Sequence, residues 1–488
     1  MHHPPPAARR PVLRDGVLRA DLCVIGAGSG GLSVAAGAVQ MGASVVLIEK
    51  HRMGGDCLNT GCVPSKALLA AAHAAHAARS GGPFGIGAHE AAVDFRRVHA
   101  HVHGVIAAIA PHDSVERFER LGVTVIQAAA RFAGAAEVEA GGQRIRARRF
   151  VVATGSSPAV PPVPGLAGLP FLTNETVFAL AERPDHLLVL GGGPIGVEMA
   201  QAFRRLGAGV TLVERGAILP KDEPEAVGIV RARLLREGVA LREGVEVAAA
   251  RRAAEGIELE LRGEGGAATL RGSHLLVAAG RRPNLAGLGL EAAGIAATAR
   301  GITVDARLRT SNRRAFAVGD VAGGPQFTHV AGYHAGIVIR NALFGLPAKV
   351  DYAALPWVTY VDPELAHVGL TEATAREAGH QVTILLQPLS GNDRAQAERE
   401  TEGLVKVVLG RRGRILGATI VAPRAGEMIG IWGLAIQRRL SIGAIASSLA
   451  PYPTLSEASK RAAGAFYTPT LYGPRTRRLV GLIQRLLP

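Results

Sequence analysis

Cys57 and Cys62, two of the three cysteines in this 488-residue chain, flank four residues within 54–66 (GGDCLNTGCVPSK). The spacing is too wide for a CxxC redox pair, and a zinc site needs further Cys or His ligands at matching spacings. It suits a reversible disulfide across a distorted helix start. Pro64 fits a first helical turn, where its missing N–H would be unpaired anyway. Residues 67–79 then read as helix. A helix N-terminus stabilises a thiolate, the reactive form of cysteine. Lys66 follows Cys62 by one helical turn and shares its face. Cys23, in the run Leu22-Cys23-Val24-Ile25, reads as a buried small hydrophobe. His73 and His76 are three apart on the same helix, but with no third ligand they read as solvated or packed.

Two further stretches suit dinucleotide phosphates. Residues 21–25 read as a buried strand running into Gly26-Ala27-Gly28-Ser29-Gly30-Gly31, followed by an Ala- and Val-rich helix and a strand over 44–48 that ends in Glu49. Strand, G-x-G-x-x-G, helix, strand and an acidic residue about 20 positions on form the complete dinucleotide fingerprint. Its glycines, Gly26, Gly28 and Gly31, let the backbone approach a pyrophosphate, and Glu49 accepts from ribose hydroxyls. The pattern recurs at residues 186–190, then Gly191, Gly193 and Gly196, a helix, and a strand over 209–213 ending in Glu214. A carboxylate at Glu214 accepts from a ribose 2′-OH and repels a 2′-phosphate, which favours NADH; Arg215 beside it keeps NADPH open. Two dinucleotide sites in one chain suit electron transfer between a mobile nicotinamide and a fixed flavin.

The elements that must position these residues follow from the same pass. Residues 150–155 are a strand ending in Thr154 and Gly155, residues 275–280 a strand ending in Gly280, and residues 315–320 a strand ending in Asp320. The Pro-rich 158–164 and the neighbourhood of Pro347 mark boundaries. Residues 350–470 alternate short apolar runs with turns and end in helices, as an antiparallel α+β domain does. A chain of this length suggests about three domains, and 62 glycines with 48% hydrophobic residues fit a large α/β protein. The net charge of +15 comes from scattered arginines with no Arg/aromatic face, so nucleic acid is not expected as a partner. Few cysteines point to a reducing compartment, the cytoplasm. Residues 1–19 have no apolar signal core and read as a disordered lead-in. No run approaches the ~20 apolar residues of a membrane span. The tail over 471–488 mixes arginines with Leu, Val and Ile at helical spacing. It reads as a helix packed on its own protein, with peripheral contact at the inner membrane face as the alternative.

With these motifs in place the chain resembles the class I pyridine nucleotide–disulfide oxidoreductases, which include dihydrolipoyl dehydrogenase, glutathione reductase and mercuric reductase. The resemblance covers about residues 20–470 and rests on GGDCLNTGCVPSK, VVATGSSP, GGGPIGVE, AAGRRPN, AFAVGDVA and YVDPELAHVGLTE, in family order. It implies an α/β chain with two Rossmann-like domains and a C-terminal α+β dimerisation domain. The FAD domain (20–157 and 281–349) is split by an NAD(P)H domain (158–280), and dimerisation falls to 350–470. It implies a homodimer with the active site at the subunit interface. By resemblance, Gly26, Gly28, Gly31 and Glu49 bind the ADP part of FAD, and Asp320 holds its ribityl chain. Cys62 is the flavin-side thiol and Cys57 the interchange thiol that meets substrate. Lys66 lies near the flavin, paired with Glu198. Electrons are expected to pass from NAD(P)H to FAD, to the Cys57–Cys62 disulfide, and on to a small acceptor such as a disulfide, a metal ion or an oxidant.

Two departures narrow the activity. The family usually carries His-Pro-Thr and then Glu near its C-terminus, the His serving as acid/base for the partner's interchange thiol. Here the segment is Pro451-Tyr452-Pro453-Thr454-Leu455-Ser456-Glu457, with Tyr452 in place of the His and Glu457 left without an imidazole. A phenol with an unperturbed pKa near ~10 is a poor proton acceptor at pH 7. Mercuric reductases also carry a Tyr there and share the run Gly324-Pro325-Gln326-Phe327, so the chain is expected to be mercuric-reductase-like, with a dihydrolipoyl-dehydrogenase-like activity as the alternative. The vicinal cysteine pair with which mercuric reductases typically end has no counterpart after Cys62. His329, nine residues after Asp320, is expected near the isoalloxazine, in a packing or a catalytic role. A reading from another class is a flavoprotein without turnover, a redox sensor or membrane-surface module; the intact Cys57, Cys62, Lys66 and both nucleotide motifs weigh against it.

Overall fold

The computed structural model describes residues 9–87, 92–263 and 266–487. Three large sheets organise them. In the first, the order is Thr124–Gln127, Val45–Glu49, Val17–Ile25, Gln143–Val152, Glu137–Ala140, Ala130–Gly134, with Ala315–Ala317 also on Gln143–Val152. Its central strands run parallel, and Cys23, Val24, Val45, Val46, Phe150 and Val151 are wholly buried. Continuous apolar runs of this kind are what strands covered on both faces require. Ala315–Ala317 pairs residue by residue with Phe150–Val152. The chain therefore returns to its first sheet after building a second.

That second sheet is fully parallel: Ala240–Arg242, Gly209–Val213, His186–Leu190, His274–Val277. A three-stranded antiparallel layer, Val245–Ala253, Gly256–Gly263 and Gly266–Gly272, packs beside it. The third sheet is antiparallel, in the order Pro356–Thr359, Glu364–Gly369, Ile415–Ala422, Leu404–Leu409, Thr383–Pro388. The helices Gly430–Gln437 and Glu457–Ala465 close its core around Trp432.

Buried charge ties the lobes together. The Lys406 ammonium, 2% exposed, lies 2.9 Å from Glu223, 3.0 Å from Glu225 and 2.9 Å from Glu372. Arg205, buried on the helix Pro194–Arg205, pairs with Glu237 at 2.6 Å and with Asp362 at 2.8 Å. Unpaired, such charges would be strongly destabilising; paired, they hold one geometry of the second sheet against the third.

Three expectations are corrected here. Residues 12–19 are not disordered: Val12–Arg14 pairs antiparallel with Val17–Arg19 across Asp15-Gly16, both at positive φ (52° and 72°). Asp-Gly is a strong hairpin signal, and it extends the first strand at its start. The helix after the cysteines begins at Cys62, not at residue 67, so both Cys62 and Pro64 lie in its first turn. The tail helix Pro474–Ile483 does not pack on its own protomer. None of its residues is buried, and Leu479 and Leu482 are 56% and 57% exposed. Among the described residues its main contact is with the helix Thr468–Leu471, where the Thr476 hydroxyl donates to the Thr470 carbonyl, so its apolar face is left exposed. Among the described residues no helix is long and apolar enough to cross a membrane.

Candidate active site

The two glycine turns show the same division of labour. Gly26 and Gly191 adopt φ of 104° and 117°. A Cβ on Gly31 would collide with the Gly26 carbonyl, and one on Gly196 with the Gly191 carbonyl, so these glycines let helix and strand touch. At the middle positions, Gly28 meets nothing nearer than 3.9 Å and Gly193 nothing within 4 Å. Both middle glycines are N-caps of helices, Ser29–Gln40 and Pro194–Arg205, that have no side-chain cap and no acidic residue in the first turn. Their free N–H groups and helix dipoles suit an anion. Glu49 accepts from the N–H of Ala27 (2.7 Å) and His51 (2.8 Å), and Glu214 from Gly192 (2.7 Å) and Gly216 (2.9 Å), which fixes both carboxylates at the turn mouths.

One cleft of about 2740 Å³ contains both turns. Its walls also include Cys57, Cys62, Lys66, Glu198, Thr154, Gly155, Gly280 and Asp320, and the 324–327 run with His329. Cys57 sits on the short helix Gly55–Asn59, whose N-cap Gly54 has φ 87°, and Cys62 opens the next helix, Cys62–Arg79. The thiols are free but interact with each other, and Cys62 Sγ lies 3.4 Å from the Thr328 hydroxyl. The Cys57 S–H donated to Cys62, then the Thr328 hydroxyl and the Lys66 ammonium, pull the Cys62 thiol down to about 6 against the effect of burial. Cys57 is pushed up by that same hydrogen bond, by burial and by the negative charge on Cys62. The two thiols therefore sit in unlike surroundings, which favour the thiolate on Cys62 over Cys57. Cys23 stays apart, wholly buried, its thiol raised to about 12 by desolvation.

Lys66 Nζ is 2.9 Å from Glu198 Oε2. Tyr360 braces the pair: its N–H donates to Glu198 Oε1 at 2.9 Å, and its ring lies 4.3 Å from Lys66 Nζ. Asp320 accepts from the Ser156 hydroxyl at 2.5 Å, and burial raises its carboxyl. Arg281 ties Ser156 to Asp56, the neighbour of Cys57, at 2.7 and 2.9 Å. Thr154 and Asn284 exchange hydrogen bonds of 2.8 and 2.9 Å, joining two distant stretches of chain. His329, exposed on the cleft wall, stacks on Phe327 and bonds the Pro356 carbonyl at 2.9 Å.

Tyr452 and Glu457 are not brought to this cleft within one protomer. Tyr452 is 70% exposed, its hydroxyl drawn to Asp393, and Glu457 keeps a buried oxygen with no hydrogen-bond partner among the described residues. His73 pairs with Asp362 at 3.5 Å, and no cluster of metal-ligating groups occurs among the described residues. Sequence reasoning missed Thr328, Tyr360, Asp56 and Ser156, and it left Arg281 and Asn284 without roles although both stand in the RRPN run. That run, following a Gly turn, was the one signal available for them.

A family model described as pyridine nucleotide-disulphide oxidoreductase matches residues 20–335, and the family's dimerisation domain matches 355–463. The chain belongs to this family. Among its relatives, the mercuric reductase of Streptomyces lividans is 40% identical over 91% of this chain and 96% of its own. The dihydrolipoyl dehydrogenase of Geobacillus stearothermophilus is 35% identical over 93% and 97%. Among solved structures, LpdA from Mycobacterium tuberculosis superposes with a TM-score of 0.84 at 28% identity, covering 92% of this chain and 99% of that one. The HOCl-induced flavoprotein disulfide reductase RclA from Escherichia coli gives 0.81 at 28% identity, covering 91% and 99%. The family's members are flavin enzymes using FAD and a nicotinamide dinucleotide, and this chain is one of them. The open space at Gly28 and Gly193 and the two uncapped helix starts fit two pyrophosphates. The dimerisation domain supports a homodimer.

Proposed function

We propose that the enzyme passes electron pairs from NADH through the Cys57–Cys62 couple to a small acceptor, and that a soft metal ion such as Hg(II) is its substrate, in the manner of a mercuric reductase. The observation that carries this reading is the two free thiols, Cys57 and Cys62, together on the wall of a cleft shared by both nucleotide turns. Bound FAD would supply the hydride acceptor between nicotinamide and disulfide. Gly26, Gly28, Gly31 and Glu49 would hold its ADP part and Asp320 its ribityl chain, with Thr154 and Gly155 beside it. Gly191, Gly193, Gly196, Glu214 and Gly280 would hold the dinucleotide. Lys66, fixed by Glu198 and Tyr360, keeps a positive charge within reach of Cys62.

Opening the disulfide takes two electrons and one proton, together the equivalent of the hydride that NADH supplies, and leaves Cys62 as thiolate and Cys57 as thiol. A disulfide acceptor then needs a base to remove the Cys57 proton. In the proposed dimer Tyr452 would stand against the partner's interchange thiol; it is a neutral phenol with its pKa raised by Asp393 and would serve that role poorly. A soft metal ion displaces the thiol proton itself, since thiolate ligation releases protons, and two sulfurs suit such an ion. Glu214 favours NADH, although Arg215, Lys221 and Arg262 line the same wall. The reducing cytoplasm suits a working dithiol.

Steady-state turnover with Hg(II), lipoamide, glutathione disulfide and quinone, each against NADH and NADPH, tests the reading. The expected ranking places Hg(II) first and NADH above NADPH in kcat/KM. Lipoamide turnover exceeding that with Hg(II) would assign the dihydrolipoyl-dehydrogenase-like activity instead.

A further inference from the structure

The arginines look scattered in the sequence, yet the fold gathers eight of them, with only two carboxylates, along a second cleft of about 1170 Å³. It lies at the starting ends of Val17–Ile25 and Gln143–Val152; at the other end, Ile25 and Ala153, the residue after the second strand, wall the catalytic cleft. Alternation along the strand puts Arg144, Arg146 and Arg148 on one side. Parallel register sets Arg19 directly beside Arg146. Like charges opposite one another in neighbouring strands are destabilising. Glu137 answers Arg144 and Arg146, each at 2.6 Å, and Asp21 lies 3.5 Å from Arg148. Arg9, Arg10, Arg14, Arg19 and Arg314 are exposed and have no carboxylate partner among the described residues.

We propose that this cleft binds a ligand carrying several phosphate groups. Guanidinium groups take phosphate oxygens in bidentate fashion. A single exposed pair contributes little, so the fitting ligand holds several charges in one frame. Among the described residues no aromatic side chain lines the cleft, so the stacking platform that single-stranded nucleic acid uses is not found there. A free polyphosphate chain and a phosphorylated lipid headgroup share this chemistry.

Calorimetric titration of the FAD-loaded enzyme with tripolyphosphate is expected to show saturable binding that weakens when salt rises from ~50 to ~200 mM. An Arg14→Gln/Arg19→Gln variant should weaken it about tenfold or more, a loss near 1.4 kcal/mol. Arg9→Gln/Arg10→Gln, outside the paired strands, gives a second test should the first variant misfold. NADH-dependent turnover should be unchanged in both. A tail variant, Arg475→Gln/Arg477→Gln/Arg478→Gln, should bind as wild type does. Flotation with vesicles containing phosphatidylinositol phosphates separates the sources: cleft-dependent capture there without tripolyphosphate binding assigns the headgroup. The proposal is overturned if neither probe binds, if the tail variant loses as much as the cleft variants, or if polyglutamate binds as tightly as tripolyphosphate.

Discussion

Cys57 and Cys62 differ in character because each is the other's strongest neighbour. Cys57→Ala removes the donor that contributes most to lowering Cys62, so the Cys62 titration should move upward from about pH 6. Ultraviolet thiolate absorbance of the reduced protein measures it: wild type loses the thiolate as pH falls through about 6, and the variant loses it at higher pH. An unshifted curve would assign the effect to Thr328 or Lys66. Lys66→Met should slow reduction of the disulfide about 10²-fold, the scale of a displaced catalytic group, as read in stopped-flow with NADH. Tyr452→His, restoring an imidazole beside Glu457, should raise lipoamide turnover; no change would show that another base serves that thiol. The thiols, Lys66 and the glutamates of the two turns were legible in the sequence because each stands in a local motif. Thr328 and Tyr360 were not, since they reach Cys62 and Glu198 across 266 and 162 residues of chain.

The strand–turn–helix units were legible for a similar reason, since apolar runs, glycine spacing and a terminal carboxylate all fall within some thirty residues. Two glycines of the first turn can be separated by experiment. Gly31→Ala drives a methyl group into the Gly26 carbonyl and should cost about 1–3 kcal/mol of stability. Gly28→Ala makes only an ordinary van der Waals contact with Gly55, at 3.9 Å, so thermal unfolding of the apoprotein should stay near wild type while the FAD Kd rises about tenfold. Equal loss of stability in both would refute the division of labour between them. The Asp15-Gly16 hairpin was visible in the sequence but hidden behind a polar, Pro-rich opening. The tail helix was legible from its spacing but its exposure was not, because amphipathic spacing says that a face is apolar and not what covers it.

The lobes that wall the catalytic cleft are held by charges from distant parts of the chain, and no local pattern announces such a cluster. Lys406→Met should strand the buried Glu223 and cost about 3–5 kcal/mol in denaturant unfolding. A loss under about 1 kcal/mol would mean that the clamp is dispensable. The central claim is that the Cys57–Cys62 couple takes the electrons that enter at the nucleotide turns. Anaerobic titration of the oxidised FAD-loaded enzyme with NADH, followed by thiol counting under denaturing conditions, tests it most directly. The first equivalent of NADH is expected to expose two new thiols per chain, and the Cys57→Ser variant to gain none. Complete consumption of that equivalent with no new thiol in the wild-type enzyme would contradict it.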